Sequence, residues 1–353
     1  MSAVVVGTGR MAPGIAAALA RGGARVTVAG RSVDRAIAAA ELAGDGVTAR
    51  VLEPGAFRHA RLVVETVTED FEVKRQVYAL VAPWLGRDTV LTTNTSGLSI
   101  TGLGRGLPRP GAFAGLHFLY PADITSVVEI IAGEATADET VDALSELAVQ
   151  MGKAPIVARR DVPGFVWNRL QHALLREALW LVDQQVADIA TVDAAVSDGL
   201  APRWLAAGPF ATADLGGMDT WSRVATEIFP HLASDPGLAA ALQEHAQAGT
   251  TFYEWGAGAQ PDVSELRSQA IKTSRDVTAA RRRLTPAARS AGTPRQPSLA
   301  RHAAALRSIA DALDAQRLPE EIARTSGQLR LLAARYEDAA VLAAPGPPEE
   351  PDR

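Results

Sequence analysis

Two polar residues stand apart in the run Gly115–Ile131, GLHFLYPADITSVVEII. The run reads as a short apolar strand, a Pro-containing turn and a second apolar strand. His117 lies in the first strand and Glu129, twelve residues later, in the second. Both sit among residues that bury themselves. A carboxylate taken out of water without a partner is costly, so Glu129 requires one. His117 is the candidate. An imidazole is the side chain suited to proton transfer near neutral pH, so the pair raises the question of an acid/base site.

Such a pair needs a scaffold, and the N-terminal run AVVVGTGRMAPGIAAALARGGARVTVAGRS supplies one. It reads as strand, glycine turn, helix, strand. Gly7-Thr8-Gly9-Arg10-Met11-Ala12 fits the G-x-G-x-x-A pattern. In that pattern the first glycine allows the tight turn and the second lets a pyrophosphate approach the backbone. The third small residue allows helix–strand contact, and the helix N-terminus faces the phosphates. Gly7, Gly9 and Met11 are therefore candidate cofactor contacts.

The end of the second strand bears on which dinucleotide. A free ribose 2′-OH usually meets Asp or Glu there. Here the strand ends in Gly30, followed by Arg31 and Ser32. A guanidinium with a hydroxyl suits a 2′-phosphate. NADP(H) is expected in preference to NAD(H), with NAD(H) as the alternative. Further on, LVVETVTEDFEVK gives a buried strand and a helix, and DTVLTTNTSGLSIT gives a strand ending at Asn94, Thr95 and Ser96. Ligands of open α/β sheets bind beyond the carboxyl ends of the strands. The VTEDFEVK and NTSG segments, the latter with Asn94, lie where a nicotinamide would be.

Bulk properties narrow the class. The chain has 353 residues, 47% hydrophobic and 21% charged, with a net charge of −5. That length suggests two domains, and that charge advertises neither nucleic acid nor an anionic membrane as partner. There are no cysteines, which excludes disulfides, thiolate metal sites and a Cys nucleophile. No metal is expected. The Met-Ser-Ala start runs directly into a strand, and no apolar run is long enough to span a bilayer. A cytoplasmic protein is the expectation.

Beyond the sheet, ARRDVPGFVWNRLQHALLREALWLVDQQVADIATVDAAVSDGL reads as helical, entered through the hinge-like Asp161-Val162-Pro163-Gly164. Leu170, Leu174, Leu175, Ala178, Leu179 and Val182 form a wide apolar stripe, normal for a core or a subunit interface. Residues 299–343 return to a helical pattern, and APGPPEEPDR has the composition of a disordered tail. The expected fold class is α/β, an N-terminal Rossmann doubly wound sheet followed by an all-α C-terminal domain. The expected boundaries are 1–160 for the dinucleotide-binding domain, 161–290 for a helical domain, 291–344 for a helical extension and 345–353 for the tail.

Taken together, the segments GTGRMAPGIA, LVVETVTEDFEVK, NTSGLSIT, GLHFLYP, VVEI, DVPGFVWNRL, GPFATADLGGMDT and FYEW resemble the L-3-hydroxyacyl-CoA dehydrogenases over about residues 3 to 255. The resemblance implies that His117 is the general acid/base and that Glu129 orients its ring. It implies that Ser96 and Asn168 hydrogen-bond the reacting oxygen and substrate, and that Glu69 and Lys74 lie by the nicotinamide and its ribose. It also implies that the helical domain caps the active site and forms a homodimer. The chemistry is coherent, since hydride delivered to a carbonyl carbon leaves an alkoxide that must take a proton.

Four departures shape the functional expectation. Ala12 replaces the usual third glycine, Gly97 the second serine of an NTSS motif, and Tyr120 the asparagine that follows His-Phe-Phe. The lysine-rich helical segment that meets CoA phosphates in the family is here the short, nearly uncharged VDRAIAAAELAGDGVTARV. A CoA 3′-phosphate wants cations, and this stretch offers mainly Arg35 and Arg50. The expected activity is therefore stereospecific reduction of a β-keto group to an L-type (S) 3-hydroxy group, on a polyketide or other non-CoA β-keto acid. The resemblance extends to family members that serve aromatic polyketide pathways. A catabolic 3-hydroxyacyl-CoA or hydroxy-acid dehydrogenase is the alternative, and a non-enzymatic NADP-binding sensor the third class. The expected partners are a small-molecule β-keto or 3-hydroxy acid and a second copy of the chain.

Overall fold

The computed structural model of the protein describes residues 1–237, 239–253 and 264–274, with the isolated positions 307, 330 and 334. The extension expected at 291–344, apart from three of those positions, and the tail at 345–353 lie outside the described residues.

Strand β1 (Ser2–Val6) is the seed of the sheet. Its side chains alternate between two faces. Ala3 and Val5 enter one buried cluster, with Ile15, Leu19, Val28, Leu116 and Phe118. Val4 and Val6 enter the other, with Val63, Tyr78, Leu91, Phe113 and Phe165. A strand apolar on both faces must be covered on both, which is why the sheet is parallel and flanked by helices. Helix α1 (Ala12–Arg21) returns the chain to β2 (Arg25–Gly30), and α2 (Val33–Ala43) leads to β3 (Val47–Val51). After β4 (Leu62–Glu65) come α3 (Phe71–Val81), β5 (Val90–Thr93), the short α4 (Ile100–Gly104) and β6 (Phe113–Phe118). Then follow β7 (Val127–Ile131), α5 (Asp138–Gln150) and β8 (Ala154–Ala158).

The sheet order is β3-β2-β1-β4-β5-β6-β7-β8. The chain starts in the middle, winds outward to β3, then crosses back to β4. The switch point lies between β1 and β4, where their carboxyl ends diverge and a ligand crevice opens. All neighbours are parallel except β6 and β7, which run antiparallel with His117 directly opposite Glu129. This is a Rossmann domain followed by helices.

Those helices begin with α6 (Trp167–Asp183). The chain divides into two compact units, Met1–Leu175 and Arg176–Arg353, so the division falls inside α6. Within the second unit lie α7 (Ile189–Ala194), a π-helical turn (Ala195–Leu200), α8 (Ala201–Ala206), α9 (Pro209–Gly216), α10 (Met218–Ile228) and α11 (Ala240–Ala248). Residues 264–274 are also helical. Along the stripe of α6, Leu179 is buried while Leu170 and Leu175 are exposed. No helix among the described residues is long and apolar enough to cross a membrane.

Candidate active site

Glu129 is completely buried, and every partner it has is on hand. Its Oε2 lies 2.7 Å from His117 Nδ1. Its Oε1 accepts the backbone N–H groups of Trp167 at 2.8 Å and Val166 at 3.1 Å. One carboxylate thus orients the imidazole and fastens the first residues of α6. Phe165 makes this possible. It adopts φ 51°, in the left-handed region that bulky residues avoid, while remaining buried in the core. Gly164 before it, at φ 78°, completes the tight turn that presents the two N–H groups. The Phe165 ring also stands edge-on to His117, with centroids 6.0 Å apart. His117 Nε2 has no hydrogen-bond partner among the described residues, so the ring keeps one nitrogen for an external group.

Fastening α6 delivers Asn168. Its Nδ2 donates to the backbone oxygen of Ser96 at 2.8 Å. Ser96 N–H donates to Glu69 Oε1 at 2.7 Å, and Thr95 Oγ1 donates to the same oxygen. Ser96 is exposed, with its hydroxyl unengaged among the described residues. A second tie holds the crossover segment, since Asp161 Oδ2 accepts from Ser99 Oγ at 2.7 Å and Thr101 N at 2.8 Å. Asp161, at the entry expected to hinge, is therefore tied to the start of α4. His117, Glu129, Ser96 and Asn168 are connected through these bonds, all in the first unit.

The residues expected at the cofactor divide in two. Gly7 has φ +126°, and a Cβ there would stand 2.7 Å from the Thr66 carbonyl oxygen. Around Gly9, by contrast, nothing lies within 4 Å of a Cβ position, so its backbone is open to a ligand. Met11, the N-cap of α1, provides no side-chain cap, and the first turn carries no acid. Such a turn fits a pyrophosphate. At Gly30 a Cβ would meet the Thr8 methyl at 2.5 Å, so Thr8 occupies the place where an acidic side chain would begin. Arg31 is exposed, and Ser32 caps α2 by accepting Arg35 N–H at 3.3 Å, which leaves its own proton to donate. Arg10 stacks its guanidinium 4.0 Å over the Tyr120 ring, joining the glycine turn to the loop after His117.

Lys74 and Asn94 point inward. Lys74 is 1% exposed and donates to Glu65 Oε1 at 2.8 Å, with Glu69 Oε2 at 3.4 Å. Asn94 Oδ1 accepts Phe118 N–H at 2.7 Å and ties β6 to the end of β5. Glu65 itself escaped the sequence reading. It is the last residue of β4, fully buried, and accepts from Val67 N at 2.6 Å, Tyr78 OH at 2.6 Å and Thr93 Oγ1 at 2.8 Å besides Lys74. The signal available was a charged residue ending an apolar strand at the ligand edge.

A Rossmann sheet whose switch point presents an open glycine turn, next to a buried His–carboxylate pair, defines a dinucleotide-dependent dehydrogenase. Comparison with known proteins gives the family. The model of the 3-hydroxyacyl-CoA dehydrogenase NAD binding domain matches residues 49–162, and that of the 3-hydroxyacyl-CoA dehydrogenase C-terminal domain matches 164–258. A 5-formyl-3-hydroxy-2-methylpyridine 4-carboxylate 5-dehydrogenase of Mesorhizobium japonicum is 34% identical over 272 residues, 72% of this chain and 88% of that one. The 3-hydroxyadipyl-CoA dehydrogenase of Escherichia coli is 33% identical over 252 residues, but the match spans only 51% of its length. A crystal structure of the pyridine-carboxylate enzyme, described as an NAD+ dependent dismutase, superposes with a TM-score of 0.74 at 30% identity, covering 79% of this chain and 98% of that one. The chain belongs to the 3-hydroxyacyl-CoA dehydrogenase family and is a nicotinamide-dependent oxidoreductase acting on CH–OH groups.

Removing the Glu129 carboxylate strands His117 Nδ1 and two backbone N–H groups at once. Glu129→Ala should cost about 3–5 kcal/mol of folding stability in urea unfolding. A loss under about 1 kcal/mol would contradict the shared role given to this carboxylate.

Proposed function

We propose that the chain reduces a β-keto group to an L-type (S) 3-hydroxy group, with NADPH, on a substrate that CoA does not carry. The observation that carries the chemistry is the buried His117–Glu129 pair, 2.7 Å apart, joined through α6 to Asn168 and Ser96. The nicotinamide, when bound, supplies hydride to the carbonyl carbon. Gly7, Gly9, Met11 and the start of α1 would hold its pyrophosphate and Glu69 would lie by the ribose, with the buried Lys74 bracing Glu69 and Asn94 bracing β6. His117 donates from Nε2 to the oxygen as negative charge grows there, because Nδ1 is engaged by Glu129. The Ser96 hydroxyl and the second Asn168 Nδ2 hydrogen are donors to the same oxygen.

Two observations favour a substrate without CoA. Helix α2 and β3, where a CoA phosphate would need cations, present mainly Arg35 and Arg50. The relative matched over 88% of its length is named for a pyridine carboxylate. A polyketide or other β-keto acid of a biosynthetic route fits that reading. The CoA-linked alternative is supported by the match to the 3-hydroxyadipyl-CoA enzyme. Assays with NADPH, acetoacetyl-CoA and the acetoacetyl thioester of a short pantetheine mimic separate the two. The mimic should match the CoA ester, or both should be poor; efficient turnover of the CoA ester alone would restore the alternative. In the same assays His117→Ala should lower kcat by about 10²–10⁴ while NADPH still binds. Near-normal turnover would overturn the mechanism.

The preference for NADPH rests on Gly30, Arg31 and Ser32, with Thr8 closing the place of an acid. Arg31→Ala should raise KM for NADPH about tenfold and leave that for NADH unchanged. Equal or better use of NADH by the unaltered protein would sink the preference.

A homodimer is part of the proposal, supported by the exposed Leu170, Leu175 and Trp180 on α6. Sedimentation at micromolar concentration should give twice the chain mass, and a monomer would refute it.

A further inference from the structure

The Glu65 cluster lies outside the reaction just described, yet it ends inside the site. Glu65 accepts four donors, of which only Lys74 is charged. A buried ion pair contributes little net stability compared with apolar packing, so stability alone is a weak reason for it. The Tyr78 ring already packs edge-on to Phe113 with centroids 5.4 Å apart, as a phenylalanine would. Its hydroxyl donates to Glu65 and also meets the Thr93 hydroxyl, another Glu65 donor. From Lys74 the contacts continue to Glu69 Oε2 at 3.4 Å, from Glu69 to Thr95 Oγ1 and Ser96 N, and from Ser96 O to Asn168. Thr93 Oγ1, which donates to Glu65, also accepts Thr95 N at 3.3 Å.

We propose that Glu65 and Tyr78 are positioning residues: their hydrogen bond holds Lys74 between Glu65 and Glu69 and thereby fixes the Thr95–Ser96 loop, which carries the Ser96 hydroxyl and receives Asn168. The proposal rests on the reading of the site given above. Lys74 shares one ammonium between two carboxylates. Without the Tyr78 donor on Oε2 the Glu65 carboxylate is free to turn and carry Lys74 with it, and without its charge it no longer holds the ammonium; in both cases the Lys74 contact to Glu69, and with it the Glu69 bond to Ser96 N, is displaced. Burial, and then the Glu65 charge, hold the Tyr78 hydroxyl far above the ordinary phenol range. It stays a donor at any pH the protein survives. Glu65 and Tyr78 are both buried, so the device acts from beneath the site surface.

Tyr78→Phe keeps the ring and deletes the hydrogen bond. Three quantities are measured: NADPH affinity by protein-fluorescence titration, amide exchange of Thr95 and Ser96, and the thermal midpoint. NADPH affinity should fall about fivefold and the two amides should exchange about tenfold faster, with the midpoint shifted by only about 2 °C. Glu65→Gln should act in the same direction and more strongly; if it fails to fold, Tyr78→Phe decides. Unchanged affinity and unchanged exchange at Thr95 and Ser96 would overturn the proposal. So would a fall in midpoint with faster exchange spread evenly through β4 and β5 and affinity intact, since that is a role in stability only. An unaltered protein that binds neither NADPH nor NADH would instead overturn the reading of the site, an outcome separate from Tyr78→Phe matching a binding-competent parent.

Discussion

A carboxylate withdrawn from water must take its hydrogen-bond donors with it, and Glu129 shows how much structure that one demand organises. One oxygen fixes the His117 ring and the other fastens Val166 and Trp167 at the start of α6. The antiparallel register that sets His117 opposite Glu129 is required for the first bond. The left-handed turn at Gly164 and Phe165 is required for the second. Such a conformation at a bulky residue costs on the order of 1–3 kcal/mol and persists only where its surroundings impose it. Here the imposing contacts are the buried ring and the carboxylate beyond it. The acid/base group and the helix bearing Asn168 are therefore held by one side chain.

Glu65 repeats the arrangement with different partners. It ends β4 as Glu129 faces β6, and it too is fully buried and fully bonded. Its donors include a lysine, so the cluster couples a rigid interior to the half-exposed Glu69. Between the two carboxylates lies the Thr95–Ser96 loop, reached from Glu65 through Glu69 and from Glu129 through Asn168. Polar networks in a low-dielectric interior are stiff when every member is satisfied, which is what a site for oriented proton and hydride chemistry needs.

Much of this was legible in the residues. The G-x-G-x-x-A turn between an apolar strand and a periodic helix specifies the switch point, because only that context gives the glycines their use. The His117–Glu129 pair followed from the cost of burying a lone carboxylate. Other parts depend on contacts distant in sequence. The Thr8 methyl beside Gly30 could not be read from the string, nor could the inward aim of Lys74, which the resemblance places by the nicotinamide and its ribose. Asn94 reads as a polar strand end facing a ligand, yet its oxygen holds Phe118 N. The segment from Arg159 reads as helix and hinge, but the helix begins at Trp167, once Glu129 and Asp161 have taken up the backbone before it. Tyr78 lies in a segment that reads only as helix, which gives no hint of its hydroxyl's partner.

The measurement that tests this account most directly is a nuclear magnetic resonance spectrum of the protein labelled with nitrogen-15 in histidine and tryptophan, compared with that of Glu129→Gln. The account predicts a His117 Nδ1 proton shifted far downfield by its carboxylate partner, and a Trp167 backbone amide shifted by the same carboxylate. Both signals should move together on substitution, since one side chain holds both. A His117 Nδ1 proton without that downfield shift in the unaltered protein, or a Trp167 amide indifferent to Glu129→Gln, would contradict it.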